Sequence, residues 1–173
     1  VDVENALMSP VGTKRLAEIA KPGDKVSIVL KDCGASTNQI MVSALLKELN
    51  LAEIKDEAVT VIIAHDPLHD SSPQDKTVLL GNELSSRVSI IQHDWRDTEH
   101  KQIGKTSLRT EIHLNKVFAE ADVKVLAGVV EPQPLMGYSG GREGVLGVSS
   151  NETIQHCLSL SLNRKVERGV LDD

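Results

Sequence analysis

The chain has 173 residues and a formal net charge of −6, and its length fits one domain that buries about 70% of its unfolded surface. Hydrophobic residues make up 40% and aromatic residues 2% of the sequence, so the core must be aliphatic. The acidic balance without a basic patch argues against nucleic acid and acidic membranes as partners, and no apolar run reaches the ~20 residues of a membrane span.

Aliphatic runs alternate with segments of helical periodicity. In chain order we predict a strand at 25–30, a helix at 37–49, a strand at 58–64, a helix around 73–80, a strand at 88–91, a helix at 115–120, a strand at 123–130 and a helix at 151–162. Residues 102–113 form either an irregular segment or a hairpin. Near-continuous aliphatic strands separated by helices are typical of a parallel sheet covered on both faces. We therefore predict a single α/β domain over 1–173, with a mostly parallel sheet and helices on both faces.

The two cysteines, Cys33 and Cys157, lie far apart and lack metal-ligand spacing. Free thiols in a reducing compartment are the usual state of such a pair, so we expect a cytoplasmic protein. The chain begins with Val1 rather than methionine, and a fragment of a longer protein is one interpretation of this.

Polar side chains follow all four predicted strands. These are Asp32 after the first, His65 and Asp66 after the second with His69 and Asp70 close behind, His93 to Trp95 after the third, and Glu131 after the fourth. Ligands of open α/β sheets bind outside the carboxyl ends of the strands. Asp and His are also ordinary turn formers, so their occurrence at all four ends, rather than any one of them, favours a site. Acid–base chemistry and metal ligation both suit these groups, and spacing does not choose between them.

The glycine-rich loop after the fourth strand is the most informative segment. It leads to Ser149 and Glu152, which have capping-box spacing before the last predicted helix, and Ser36 and Gln39 have the same spacing after the first strand. Loop amides and the positive ends of two helices make an anion-binding geometry, although glycines that serve only turns are a common alternative. We predict a binding site formed by Asp32, Ser36, Thr37, Ser139, Gly140, Gly141 and Arg142, in which Arg142 is either a site cation or a solvated surface side chain.

Short motifs, in order over nearly the whole chain, resemble the N-terminal domain of the nickel-dependent lactate racemase family. The matching stretches include Pro10-Val-Gly-Thr13, Lys21-Pro-Gly-Asp-Lys-Val26, Asp32, Leu80-Gly81, His93-Asp-Trp95, Asn115-Lys-Val117, Glu131-Pro132, Gly137-Tyr-Ser-Gly-Gly141 and Glu152-Thr-Ile154. The resemblance implies a longer protein with a second, C-terminal α/β domain. It also implies racemisation or epimerisation of a 2-hydroxy acid by hydride transfer to a nickel pincer nucleotide.

Most positions to which the resemblance assigns chemistry carry other residues here. The two histidine bases correspond to Leu68 and Gln133, the cofactor-anchoring lysine to Glu143, the nickel-ligating histidine to Leu158, and the threonine and arginine of the first loop to Gly34 and Ala35. His69 adjoins Leu68, and His156 lies two residues before Leu158, about 160° around a helix. Whether either histidine compensates is left open.

Two functions follow from these observations. The first is a divergent lactate racemase-like protein that acts on or binds a small 2-hydroxy acid or a nucleotide-like anion, with its C-terminal domain completing the site. The second is a non-catalytic binding or assembly domain that keeps only the fold. Because Gln133, Glu143 and Leu158 replace the expected groups, we expect no nickel pincer nucleotide on this chain and no activity from the chain alone.

Overall fold

Four parallel strands form a sheet at the centre of the computed structural model, which describes residues 2–64, 76–97, 99–133 and 137–163. In chain order its helices and strands are α1 (Asp2–Met8), α2 (Leu16–Ile19), β1 (Val26–Leu30), α3 (Ala35–Leu51), β2 (Val59–Ile63), α4 (Lys76–Arg87), β3 (Ser89–Gln92), β4 (His100–Lys105), β5 (Glu111–Asn115), α5 (Lys116–Glu120), β6 (Val123–Ala127), β7 (Pro132–Gln133), β8 (Gly137–Tyr138) and α6 (Asn151–Asn163). Short 3₁₀ helices cover Asp56–Ala58 and Gly141–Val148.

The sheet has the strand order β3-β2-β1-β6, and every pairing in it is parallel. Val26 of β1 lies opposite Val59 on one side and Val123 on the other. All five residues of β1 are buried, because this strand has neighbours on both sides and packed layers on both faces. The predicted α/β fold with a parallel sheet is confirmed.

Two hydrophobic clusters of described residues cover the two faces of the sheet, because successive strand side chains point to opposite faces. On one face Ile28 and Val61 belong to a cluster with Leu46 of α3 and residues of α4. On the other face Val29 and Ile62 belong to a cluster with residues of β5, α5 and the 3₁₀ helix 141–148, namely Leu114, Phe118 and Val148. The prediction of helices on both faces is therefore confirmed, with a hairpin sharing the second layer.

The observed strands lie within about one residue of the predicted ones, except that β6 ends at Ala127. The apolar Val129 and Val130 leave the sheet and are 39% and 66% exposed. The predicted helix at 73–80 corresponds to α4, although residues 73–75 lie outside the described part. In α4 the helical backbone is broken at Gly81, where φ is 74°, a conformation that glycine adopts without steric cost. Within the described ranges no helix is long and apolar enough to cross a bilayer.

The structure resolves residues 102–113 as a hairpin, one of the two alternatives that the sequence left open. β4 and β5 pair antiparallel, and their register shifts between Gln102 and Gly104, as at a β-bulge. Asn115 ends the hairpin and caps α5, because its side-chain oxygen accepts hydrogen bonds from the amides of Val117 at 3.0 Å and Phe118 at 3.3 Å.

Both predicted capping boxes are wrong. α3 begins at Ala35 with Gly34 as its N-cap and no side-chain cap, so Ser36 lies inside the first turn. At α6 the capping residue is Ser150, whose Oγ accepts a 3.4 Å hydrogen bond from the Thr153 amide. Ser149 instead donates its hydroxyl to the Val145 carbonyl at 2.8 Å. In neither helix, therefore, does the first serine of the predicted pair act as the N-cap.

Candidate functional site

The glycine-rich loop folds back onto the carboxyl edge of the sheet. A small pocket of about 20 Å³ there is lined by Lys31 after β1, Ala64 after β2, Gly128 after β6, and Gly140, Gly141 and Glu143 of the loop. The chain thus brings the ends of three strands and the loop together, as expected of a ligand site in an α/β sheet. Of the predicted site residues, Gly140 and Gly141 line this pocket.

The carboxylate of Glu143 lies among hydrogen-bond donors at this edge. Lys31 Nζ is 3.3 Å from its Oε1 and 3.2 Å from its Oε2, and the Gly140 amide donates to Oε2 at 3.0 Å. The Glu143 side chain is 10% exposed and that of Lys31 is 31% exposed. Charge-assisted hydrogen bonds of this kind are about twice as strong as neutral ones. An internal carboxylate is therefore bound where the loop amide and a lysine converge.

Ser139 and Gly140 fix the loop against the chain that follows β6. The Ser139 amide donates to the Glu131 carbonyl at 2.7 Å, and its Oγ accepts from the Glu131 amide at 3.1 Å and donates to the Val129 carbonyl at 3.3 Å. Gly140 has a φ of 82°, and a Cβ built on it would lie 2.9 Å from the Val129 oxygen. The loop backbone approaches residue 129 so closely that only glycine fits at position 140. The Ser139 hydroxyl thus stabilises the conformation of the loop.

Asp32 shapes the turn between β1 and α3. Its Oδ1 accepts hydrogen bonds from the Gly34 amide and from Asn38 Nδ2, both at 2.9 Å. Asn38 is fully buried, and its own Oδ1 accepts from the Cys33 amide at 3.1 Å. The turn is thus held rigidly at the end of the central strand. The other predicted residues of this region, Ser36 and Thr37, occupy the first turn of α3, and Arg142 is exposed beside Glu143.

The titratable residues after the second strand lie outside the described residues, namely His65, Asp66, His69 and Asp70, together with Leu68. Gln133 is buried in β7 and pairs across to Gly137 of β8.

His93, which follows the third strand, has a structural environment. It is 3% exposed, and its Nε2 lies 2.8 Å from the Ser149 carbonyl. A carbonyl can only accept, so Nε2 carries the proton and Nδ1 accepts from Asn115 Nδ2 at 3.4 Å. With both ring nitrogens engaged, His93 joins the end of β3 to the start of α6.

A larger cleft of about 760 Å³, which was not predicted from the sequence, lies beside the hairpin. Three of its lining residues are histidines from separate segments: His100, His113 and His156. Four of the six histidines lie between 93 and 156, which is a signal in the sequence. Their convergence depends on the β4–β5 pairing, which the sequence left open.

The residues present do not fit a nickel pincer nucleotide attached in the way that the resemblance implies. At the lysine position Glu143 is already bound to Lys31, and a carboxylate cannot replace an amine as the attacking group. At the ligand position Leu158 has no donor atom, and burial raises the pKa of the neighbouring Cys157 thiol, which disfavours the thiolate. Both cysteines are free. In the described part of the chain no group of three or more His, Cys, Asp or Glu residues could hold a metal ion.

Comparison with known proteins identifies similar chains. A model of the lactate racemase N-terminal domain matches residues 1–169. The lactate racemase of Thermoanaerobacterium thermosaccharolyticum is 30% identical over 176 residues, covering 99% of this chain and 41% of that protein. The lactate racemase of Lactiplantibacillus plantarum is 26% identical over 154 residues, covering 88% of this chain and 36% of that protein.

A solved structure has the same fold. The apoprotein of the T. thermosaccharolyticum lactate racemase superposes with a TM-score of 0.82 at 30% identity, covering 99% of this chain and 42% of that one. The chain therefore spans about two fifths of the length of the relatives it matches.

Proposed function

We propose a function on this premise: the chain belongs to the lactate racemase N-terminal domain family. It is part of a longer protein that binds a small 2-hydroxy acid or a nucleotide-like anion at the carboxyl edge of the sheet. The C-terminal domain of that longer protein completes the site. The nickel pincer nucleotide is not attached to this chain through residue 143.

One observation supports an anion at this edge: a carboxylate already lies there. The ammonium group of Lys31 and the amide of Gly140 contact the Glu143 carboxylate at 3.0 to 3.3 Å. A ligand carboxylate would require the same donors, one charged and one an amide of a glycine-rich loop. Glu143 partly occupies this donor set, which makes binding of an outside anion weak unless Glu143 moves or is neutralised.

Racemisation by hydride transfer is the alternative function for the longer protein, and it requires a base for the hydroxyl proton on each face of the substrate. At one of the two positions Gln133 is neutral at every pH. Glu143 offers no amine and pairs with Lys31, which favours non-covalent binding of an anion at this edge over covalent attachment of the cofactor. We therefore favour binding of the hydroxy acid or of a nucleotide-like anion as the role of this domain.

Nickel content tests the cofactor proposal. We expect the full-length protein, produced together with the enzymes that make the nickel pincer nucleotide, to contain far less than one equivalent of nickel by elemental analysis. The reason is that Leu158 and Glu143 provide neither an imidazole ligand nor an amine. A lactate racemase produced in the same cells is the positive control. Stoichiometric nickel with the absorbance of the cofactor would show the proposal to be wrong.

Amide chemical shifts test the anion proposal. Lactate, nicotinate mononucleotide and sulfate should each shift amides within 33–37 and 139–143 at millimolar concentration, and added salt should weaken the effect. The Glu143→Gln variant should bind about tenfold more tightly, since it removes a like charge next to Lys31.

The matched control is Glu120→Gln, which neutralises a carboxylate that pairs with Lys101 on the surface and should leave these affinities unchanged. If neither segment responds in the parent protein or in Glu143→Gln, this edge has no anion site and the assembly-domain alternative gains support.

A further inference from the structure

The large cleft beside the hairpin is a second concave site, and its described lining residues do not include those of the pocket around Glu143. His100 extends from β4, His113 from β5 and His156 from α6, and all three are half-buried. His156 Nδ1 lies 2.8 Å from the buried Thr110 hydroxyl. The ring of His100 packs edge-to-face on that of His93, with 5.3 Å between centroids. Imidazoles from three separate segments thus line one space.

The positive and negative charges that line the cleft nearly cancel when its imidazoles are neutral. The charged and titratable groups that face it are Arg96 and Asp97 before β4, His100 of β4, Arg109 of the hairpin turn, Glu111 and His113 of β5, and Glu152 and His156 of α6, with His93 behind His100. Two arginines against three carboxylates leave one negative charge when the imidazoles are neutral. Protonation of His100 and His113 reverses the net charge to positive.

Two of the three carboxylates have partners of their own. Glu111 pairs with Lys105 at 3.2 Å. The pKa of Glu152 is lowered by a hydrogen bond from its own backbone amide, then by Ser150, and also by the charges of His113 and His100. Glu152 lines the same cleft as both imidazoles, so its carboxylate competes with any outside anion for them.

We propose that this cleft binds a small oxyanion with two or more negative charges, a polycarboxylate or a phosphate ester, and that protonation of His100 and His113 strengthens binding. Imidazoles change charge between about pH 5 and pH 8, while Arg96 and Arg109 stay charged throughout. Arginine and protonated histidine both donate charge-assisted hydrogen bonds to such oxygens. The volume of about 760 Å³ leaves room for an organic group beside the anionic one.

The fluorescence of Trp95 can report ligand binding in the cleft directly, because Trp95 is the single tryptophan of the chain and lines the cleft. Sulfate keeps its two charges across this pH range, so a pH effect reports on the protein. At constant ionic strength we expect sulfate to change Trp95 fluorescence with millimolar affinity at about pH 5.5, and at least about tenfold more weakly at about pH 8. Tricarballylate and glycerol phosphate are compared at the lower pH. Binding of either identifies the ligand class, and binding of neither overturns the proposal.

Variants connect this response to individual residues. His113→Gln should lose most of the pH dependence. Glu152→Gln should bind sulfate several-fold more tightly at about pH 8, because it removes the competing carboxylate. Lys101→Gln, in β4 but outside the lining of the cleft and paired with Glu120, is the control and should match the parent protein.

Far-UV circular dichroism verifies that each variant is folded, and the exposed Glu152 provides a test even if His113→Gln unfolds. Equal sulfate affinity at the two pH values, or no gain in Glu152→Gln, would overturn the proposal. The amides of 33–37 and 139–143 report on the other site, so failure of one proposal is distinguishable from failure of the other.

Discussion

Gly140→Ala is expected to lower the free energy of unfolding by at least about 3 kcal/mol. A φ of 82° costs an alanine roughly 1–2 kcal/mol. The added Cβ would also lie 2.9 Å from the Val129 carbonyl oxygen and 3.0 Å from Val130 Cγ2. The first of these is a backbone atom that hydrogen-bonds to Ser139, so it cannot move cheaply. Relief of the clash displaces the loop and the Gly140 amide from Glu143.

The neighbouring Gly141 offers a matched control for this effect. Its φ is also positive, at 49°, but a Cβ there would meet no atom within 4 Å. Gly141→Ala should therefore cost only about 1 kcal/mol. Urea unfolding followed by far-UV circular dichroism measures both variants. Equal losses would mean that the close approach of the loop to residue 129 contributes nothing to stability.

Arg15→Met is expected to lower the free energy of unfolding by more than the Lys47→Met control does, because it leaves a buried carboxylate without its counter-ion. Glu48 is 7% exposed, and Arg15 Nη2 donates to its Oε1 at 2.6 Å. The hydrogen bond to Glu48 raises the pKa of Arg15. Among the described residues Glu48 Oε2 has no hydrogen-bond partner. Arg15 is one third exposed, so water relieves part of the penalty.

The double variant Arg15→Met with Glu48→Leu should recover most of this loss, since an apolar pair of similar volume replaces both charges. Lys47→Met is the control on the same helix. It breaks an ion pair with Glu4 in which both side chains are about half exposed or more, and such pairs contribute about 0–1 kcal/mol. A double variant that stays as unstable as Arg15→Met would show that the loss comes from packing of the arginine stem rather than from the unpaired carboxylate.

The fold could be predicted from the sequence because its central strands are buried on both faces. Each of them appears as a nearly continuous aliphatic run, such as Val59 to Ile63 with Thr60 as its one polar residue, and such a run is recognised without knowledge of its neighbours. The same rule overextended the fourth strand, because Val129 and Val130 are apolar yet leave the sheet after Gly128. Apolar composition shows that a strand exists more reliably than it shows where the strand ends.

The candidate site was less predictable because it depends on side-chain geometry. The glycine-rich loop was identified, but the role of Glu143 as an internal carboxylate required the position of Lys31, 112 residues away in the sequence. The observed start of α3 differs from the predicted one for a similar reason. Asp32 accepts a hydrogen bond from the Gly34 amide, and the helix begins directly after this turn. His100 and His113 meet only because a hairpin pairs their strands. Long-range contacts of this kind leave no local pattern.

The ion pair between Lys31 and Glu143 also constrains how this family can vary. If position 143 carried a lysine while Lys31 stayed, two ammonium groups would meet within a few ångströms in a poorly solvated place, where like charges disfavour each other. Substitution at one position therefore limits the choice at the other. Across the evolutionary history of the family we expect the two positions to covary: a cation after β1 accompanies an acid at position 143, and a small or neutral residue after β1 accompanies a lysine there.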